Sequence, residues 1–263
     1  MILATGFEAI AALSLLAALA YAVSAAGASR LGERGASLAL GAAWLLHLGA
    51  IAVALSSTPP RFGFAPALSM TVWLVVTVYA VEKQMFPQLV ARWAFGIACA
   101  VAVLLPVVFP GEPLRMSSAL GPLHLALGVA SYGLFGAAAV HAWLMMRAEQ
   151  SMRAGADAQA GLPLLTLERL TFRFATAGFV VLSATLLAGI VFSEHLGAWR
   201  WDHKTVFSIL AWLVFAFLLL GRLRFGWRGR KAVRVLYTGS VLLLLAYVGS
   251  RFVLEVILRR AAT

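Results

Sequence analysis

The chain has few charged residues and almost no cysteine. Charged residues make up 12% of its 263 residues, whereas soluble domains carry roughly 25%. This composition excludes an ordinary soluble domain. The single cysteine, Cys99, excludes an internal disulfide, a CxxC redox pair and a cysteine-rich zinc site, so packing is its expected role.

Apolar residues dominate the chain, with 62% of residues hydrophobic and a mean hydropathy of +0.93. A membrane-spanning helix needs about 20 largely apolar residues. Such segments predict an all-α integral membrane helix bundle with eight transmembrane helices in one polytopic domain, 1–263. The first basic residue is Arg30, so the first segment lacks the basic start of a secretory signal and is expected to be a retained span. The segments are approximately 3–26, 36–55, 64–81, 93–109, 122–146, 174–193, 204–221 and 232–256.

The distribution of basic residues predicts the orientation. Of the 21 Lys and Arg residues, fourteen fall on one set of connections and seven on the other, and short loops rich in Lys and Arg stay in the cytoplasm. We therefore expect both termini on the periplasmic side. The net charge of +11 is spread over helix ends, which indicates contact with anionic membrane lipids and excludes nucleic acid as a partner.

Histidines are the main candidates for chemistry. His47 lies within the second span, where an ionisable side chain is costly and therefore a functional candidate. His124 opens the fifth span on the outer side. Because a neutral imidazole can ligate haem iron, we predict His47 and His124 as haem ligands, either on one iron or in separate roles. Alternatively, His47 hydrogen-bonds to a neighbouring helix. We expect His141 at the level of the lipid headgroups.

A polar loop on the outer side precedes the seventh span. Tryptophans are common at membrane interfaces, but here two tryptophans with one residue between them are followed directly by an aspartate, a histidine and a lysine. The indoles could stack on a porphyrin, and Arg200 or Lys204 could pair with a propionate. Asp202 is also a predicted N-cap of the seventh span. For His203 and the preceding His195, the pattern slightly favours solvated loop residues over ligands. The predicted haem-binding residues of this loop are Trp199, Arg200, Trp201, Asp202, His203 and Lys204.

Several short segments, in order along nearly the whole chain, resemble the cytochrome c assembly (CcsA/CcmC) superfamily, and in particular its YpjD/HemX-like branch. The outer loop, 199–205 followed by Trp212, resembles the tryptophan-rich loop of that superfamily in shortened form. The other matching residues are Leu46 and His47; Ala67, Leu68 and Ser69; Leu123, His124, Ser131 and Tyr132; Leu167, Glu168 and Arg169; Ser208; Gly226, Trp227, Arg228, Gly229 and Arg230; and Ala246, Tyr247, Gly249, Ser250 and Arg251.

The resemblance implies a multi-pass protein of the bacterial inner (plasma) membrane that binds haem b and accepts, holds or passes it on the outer side. It implies haem and cytochrome c maturation components as partners. A second outer histidine of the superfamily would fall near the end of the eighth span, where this chain has Arg251. We therefore expect haem ligation without catalysis, and no enzyme activity.

Two other functions remain open. The chain could be a transporter or a subunit of an ion-transport assembly without haem, although no acidic residue lies at mid-depth in a span. It could also be a regulatory subunit in haem biosynthesis, as HemX-like relatives suggest. In that case the basic loop 222–231 or the connection 147–173 would dock a cytoplasmic partner.

The end of the connection before the sixth span is also expected to be helical. Residues 164–174 show helical spacing and are expected to extend the sixth span.

Overall fold

The computed structural model describes residues 2–26, 32–85, 92–114, 121–154, 162–191 and 202–258. These residues are almost entirely helical, which confirms the all-α class. The helices are α1 (Ile2–Ala26), α2 (Gly32–Ser56), α3 (Phe64–Met85), α4 (Arg92–Val108), α5 (Gly121–Arg153), α6 (Leu164–Val191), α7 (His203–Phe225), α8 (Gly229–Leu244) and α9 (Ser250–Phe252).

Seven helices in the described ranges are long and apolar enough to cross a membrane. The helix expected for the span 93–109 is α4, which has 17 residues. At about 1.5 Å per residue it is roughly 26 Å long, slightly less than the hydrocarbon core of about 30 Å. The prediction of a membrane helix bundle is confirmed, whereas the eighth span and the sides of the termini stay predictions.

Helices α5 and α6 reach furthest beyond the predicted spans. Helix α5 continues to Arg153 and has 33 residues. Helix α6 begins at Leu164, so the expected helical extension of the sixth span is confirmed. The last long helix runs from Gly229 to Ile257 and contains two π-helical segments, Leu245–Gly249 and Val253–Ile257, on either side of α9. Such widened turns are rare and often occur at functional sites.

The helix packing divides the chain into two compact units, which are described separately, and the expected single polytopic domain stays a prediction. The first unit comprises Met1–Thr77, Val90–Arg115 and Arg251–Thr263. In it, α1 packs against α2 and α4. Gly96 allows the close approach of α1 and α4, because an added Cβ would lie 2.4 Å from the Cβ of Ala25. Cys99 is fully buried in this core, in agreement with the packing role.

Two short strands close one end of the first unit. Strand β1 (Arg61–Phe62) pairs antiparallel with β2 (Glu112–Pro113). The Arg61 side chain strengthens the connection, since its Nε donates to the Gly111 carbonyl at 3.0 Å. Gly111 has a φ of 77°, a left-handed conformation that favours glycine. This small sheet fixes the loop between α2 and α3 against the loop after α4.

The second unit comprises Val78–Leu89 and Met116–Ser250. Helix α5 packs on α6 and α8, and α7 packs on both α6 and α8. At its centre the rings of Phe135 and Phe215 stack with centroids 3.6 Å apart. The Tyr132 hydroxyl donates to the carbonyl of Leu243, just before the first π-helical segment. This hydrogen bond ties α5 to the widened part of the last helix.

Candidate functional site

His47 lies at the centre of a buried hydrogen-bonded chain in the first unit. Its Nδ1 is 3.2 Å from the hydroxyl of Tyr21 on α1, and its Nε2 is 2.8 Å from the hydroxyl of Ser69 on α3. His47 and Tyr21 are 0% exposed and Ser69 is 3% exposed. Three helices thus contribute one polar group each, which satisfies both ring nitrogens inside the unit.

This arrangement defines the state of the imidazole. Both partners are neutral hydroxyls, and a buried imidazolium would need a counter-charge that hydroxyls do not supply. The ring is therefore neutral, which is the form that ligates metal. The structure shows the alternative role, hydrogen bonds from His47 to neighbouring helices. Ligation by His47 stays a prediction, and it requires that one hydrogen bond be given up.

A groove of about 830 Å³ lies beside this chain of hydrogen bonds and shares Ser69 with it. Ligand sites commonly have volumes of roughly 300–1,000 Å³ and mostly apolar walls with a few polar groups. Here the walls come from α1, α2, α3, α4 and the loop after α2, and the cation Arg61 lies in that loop. The polar and charged side chains of its lining include Ser14, Arg61 and Ser69.

The groove and its neighbours fit a flat amphiphilic cofactor such as haem. The apolar walls suit a porphyrin, Arg61 can pair with a carboxylate, and the neutral imidazole of His47 lies directly behind Ser69. The fit rests on the chemistry of these side chains and on the size of the groove. It identifies residues that could hold the cofactor in the first unit.

Two stacked indoles also lie in the first unit. They were not predicted from the sequence, which indicated only the tryptophans of the outer loop. The rings of Trp44 and Trp73 are 5.2 Å apart and nearly parallel. Their N–H groups are satisfied, since Trp44 Nε1 donates to Thr77 and Trp73 Nε1 donates to the carbonyl of Trp44. The pair joins α2 to α3 one helical turn from His47.

His124 has the opposite environment from His47. It is exposed, in the first turn of α5 in the second unit. Its ring packs against Gly189 of α6, where an added Cβ would lie 3.4 Å from the His124 Cε1. His124 is therefore accessible to a ligand from solvent, whereas His47 is not.

The predicted outer loop is described only in part. Trp199, Arg200, Trp201 and the preceding His195 lie outside the described residues. Asp202 caps α7, because its Oδ1 accepts hydrogen bonds of 2.9 Å from both the backbone N–H and the hydroxyl of Thr205. The N-cap prediction is confirmed. His203 is exposed in the first turn of α7.

The start of α7 carries two residues of opposite charge, Asp202 and Lys204, and their surroundings stabilise both charges. Partial burial disfavours the Asp202 carboxylate, but the hydrogen bonds from Thr205 and the nearby Lys204 and His203 outweigh it and lower the pKa of Asp202 below its ordinary value. The ammonium of Lys204 lies 5.9 Å from the centre of the Tyr247 ring, within the range of a cation–π contact. Asp202 is thus a charged helix cap in the second unit.

A buried acid–imidazole pair was not predicted. Glu82 Oε2 lies 2.8 Å from His141 Nε2, and the two residues are 6% and 3% exposed. The ring of His141 is enclosed within the second unit and stacks on Phe174, and its expected position at the level of the lipid headgroups stays a prediction. The available signal was Glu82 itself, a lone acid directly after the apolar run of α3.

The geometry assigns the Nδ1 hydrogen of His141. Nδ1 lies 2.7 Å from the carbonyl oxygen of Ala137, which can only accept, so Nδ1 carries a hydrogen. Nε2 lies 2.8 Å from Glu82 Oε2, but the two atoms are not aligned for a hydrogen bond. The contact between Glu82 and His141 is therefore a close polar pair, and Nε2 is the ring nitrogen that faces the acid.

A second ionic cluster joins α6 to the end of α7. Glu168 Oε1 lies 2.5 Å from Arg222 Nη1 and 3.3 Å from Arg228 Nε. The Arg222 guanidinium also lies 4.5 Å from the centre of the Phe172 ring. Two of the segments that carried the resemblance, around Glu168 and around Arg228, therefore meet in the structure.

The chain was compared with known proteins. The family model described as "Cytochrome C assembly protein" matches residues 7–258. The chain belongs to this family. The resemblance to the YpjD-like and CcsA-like members, read from the sequence, is confirmed.

Individual members of the cytochrome c assembly protein family align over different lengths. Inner membrane protein YpjD of Escherichia coli (strain K12) is 31% identical over 194 residues, covering 72% of this chain and 73% of that protein. A 28.8 kDa protein of Azospirillum brasilense is 33% identical over 190 residues, covering 70% and 68%. Cytochrome c biogenesis protein CcsA of Parasynechococcus marenigrum (strain WH8102) is 35% identical over 108 residues, covering 38% and 35%. No solved structure matches the chain.

The family and the helices together give the location. A relative named as an inner membrane protein aligns along most of its length, and seven helices in the described ranges have the length and composition of membrane spans. The chain is a multi-pass protein of the bacterial inner membrane.

Proposed function

We propose that this protein binds haem b on the predicted outer side of the inner membrane and holds or passes it during cytochrome c assembly. The family and the relatives named CcsA support a role in cytochrome c biogenesis. The observation that carries the haem assignment is the neutral imidazole of His47, hydrogen-bonded to a serine that lines an apolar groove of suitable size.

Each unit would contribute its own residues. In the first unit, His47 would ligate the iron and Arg61 would pair with a propionate. In the second unit, His124 is the candidate ligand, with His203 and Lys204 at the start of α7 as polar contacts. Trp199 and Trp201 would stack on the porphyrin and Arg200 would pair with a propionate. Asp202 would act through its helix cap.

The proposed chemistry is ligation and orientation. Bound haem supplies an iron that accepts axial ligands, and this chain supplies imidazoles, cations and apolar walls. No covalent bond is made or broken by these residues, so the protein is proposed to be a haem carrier rather than an enzyme. Its proposed partners are haem, the cytochrome c maturation components and membrane lipids.

Haem titration of the detergent-purified protein tests this proposal. The wild type is expected to develop a saturable Soret band. His47→Ala and His124→Ala should each shift or weaken the band, and the double variant should lose it. His195→Ala serves as the matched control and should titrate like the wild type. An unchanged band in the double variant would remove both histidines from the proposal.

A second measurement tests the cellular role. Cells that lack this protein are expected to contain less covalently bound haem in their c-type cytochromes, as seen by haem staining of denatured membrane proteins. The wild-type gene should restore the staining and the double histidine variant should not. Normal staining in the deletion strain would contradict a role in cytochrome c assembly.

The buried Glu82–His141 pair favours a second candidate function, proton-coupled transport. Buried acid and imidazole groups within membrane helices often mark proton pathways. If this function is correct, haem-free protein in proteoliposomes should carry a proton-coupled flux that Glu82→Gln abolishes. Absence of flux in the wild type would leave the pair a structural contact between α3 and α5.

A further inference from the structure

The hydroxyl of Ser69 connects the groove to the imidazole of His47. Its Oγ lies 2.8 Å from His47 Nε2, and Ser69 is also one of the groove-lining residues. Tyr21 holds the opposite nitrogen, Nδ1, and belongs to the apolar core. The ring is therefore fixed on both sides, and Nε2 is the nitrogen whose partner faces the groove.

A neutral imidazole has one N–H group and one lone pair, which gives two arrangements. In the first, Nε2–H donates to Ser69 and the Tyr21 hydroxyl donates to Nδ1. In the second, Nδ1–H donates to the Tyr21 oxygen and the Ser69 hydroxyl donates to Nε2. Only the second arrangement leaves a lone pair on Nε2, and that lone pair is already occupied by the Ser69 hydroxyl.

We propose that Ser69 competes with a ligand in the groove for Nε2 of His47, and that the Tyr21 oxygen accepts the hydrogen bond from Nδ1–H when Nε2 binds that ligand. The inference rests on the proposed function, in which the ligand is haem. Ser69 and Tyr21 are thus positioning residues that act through His47. Such neighbours of a ligating histidine fix its tautomer and tune its basicity.

The size of the effect follows from hydrogen-bond strengths. Ser69→Ala removes the competitor and should tighten haem binding about fivefold, the factor that corresponds to one neutral hydrogen bond. Tyr21→Phe leaves Nδ1–H without an acceptor in a buried site and should weaken haem binding about tenfold. The two substitutions therefore change affinity in opposite directions.

Ser14→Ala is the matched control. Ser14 lies on α1, lines the same groove and is 1% exposed, so this variant loses a buried serine hydroxyl from another wall of the groove while the Ser69–His47 hydrogen bond remains. The full-length wild type and the Ser69→Ala, Ser14→Ala and Tyr21→Phe variants are titrated with haem in detergent, and their thermal unfolding midpoints are compared to confirm folding. Resonance Raman spectroscopy of the ferrous forms measures the iron–histidine stretch.

The inference predicts tighter binding for Ser69→Ala, wild-type binding for Ser14→Ala, and a lower iron–histidine stretching frequency for Tyr21→Phe. If the wild type binds haem through His47 but Ser69→Ala and Ser14→Ala have equal affinities, the competition is overturned and the proposed function stands. If the stretching frequency is unchanged in Tyr21→Phe, the role of Tyr21 is overturned. If none of the four proteins binds haem, both the inference and the proposed function fail.

Discussion

Replacing Glu82 by alanine should destabilise the second unit strongly, because it leaves His141 buried without its partner. Glu82 Oε2 and His141 Nε2 are 2.8 Å apart, and both residues are almost completely buried. Removal of one member of a buried pair typically costs about 3–5 kcal/mol. His141 Nδ1 keeps its hydrogen bond to the Ala137 carbonyl, so Nε2 is the ring nitrogen that loses its partner.

Glu82→Gln separates the charge from the hydrogen bond. The glutamine amide can donate to a neutral Nε2, so the contact survives without a carboxyl group. This variant should cost about 1 kcal/mol, the net value of an ordinary hydrogen bond. The difference between the alanine and glutamine variants then measures how much of the effect comes from the unpaired imidazole.

The matched control is Glu149→Ala. Glu149 pairs with Arg153 one helical turn later, and the Arg153 side chain is 65% exposed. Such a helical surface pair contributes about 0.3–0.5 kcal/mol. The three free energies of unfolding are measured by denaturant titration in mixed micelles. If Glu82→Ala costs no more than Glu149→Ala, the inference that the buried Glu82–His141 pair stabilises the second unit is wrong.

Two further stability predictions follow from particular contacts. An added Cβ at Gly221 would lie 2.3 Å from the Trp227 ring, whereas an added Cβ at Gly41 would have no neighbour within 4 Å. Gly221→Ala should therefore destabilise the protein by about 1–3 kcal/mol through overpacking, whereas Gly41→Ala, the control, should stabilise α2 slightly. Thermal unfolding of the two variants measures the difference. Asp202→Ala should cost about 1 kcal/mol through the lost N-cap. Because the folded-state pKa of Asp202 lies below its ordinary value of 3.8, the charge-dependent part of this stability is present above that value and is lost as the pH falls through the lowered pKa. Equal pH profiles for the wild type and Asp202→Ala below pH 5 would contradict the assignment.

Sequence patterns located the helices well, because apolar length and turn residues indicate where a span lies, but the continuation of α5 to Arg153 was not predicted. The cap at Asp202 and the helical start at Leu164 were also predictable from local residues. Helix α4 was the difficult case, because its 17 residues contain Pro106 and approach the lower limit of a span.

The polar partners inside the bundle were not predictable. Nothing local in the sequence indicates that His47 meets Tyr21 and Ser69, since these residues are 26 and 22 positions away. Glu82 and His141 are separated further still, and although the lone acid Glu82 was a signal, nothing local in the sequence identified His141, inside α5, as its partner. Pairings between distant helices depend on packing, which a single sequence without a repeat does not specify.

The central claim is that this chain holds haem through its histidines. The most direct measurement is a pyridine-haem assay on the protein purified from cells supplied with a haem precursor. The account predicts that haem b copurifies with the wild type and with His195→Ala, and that the His47→Ala, His124→Ala double variant carries little or none. Purified wild-type protein without haem, or a double variant with as much haem as the wild type, would contradict it.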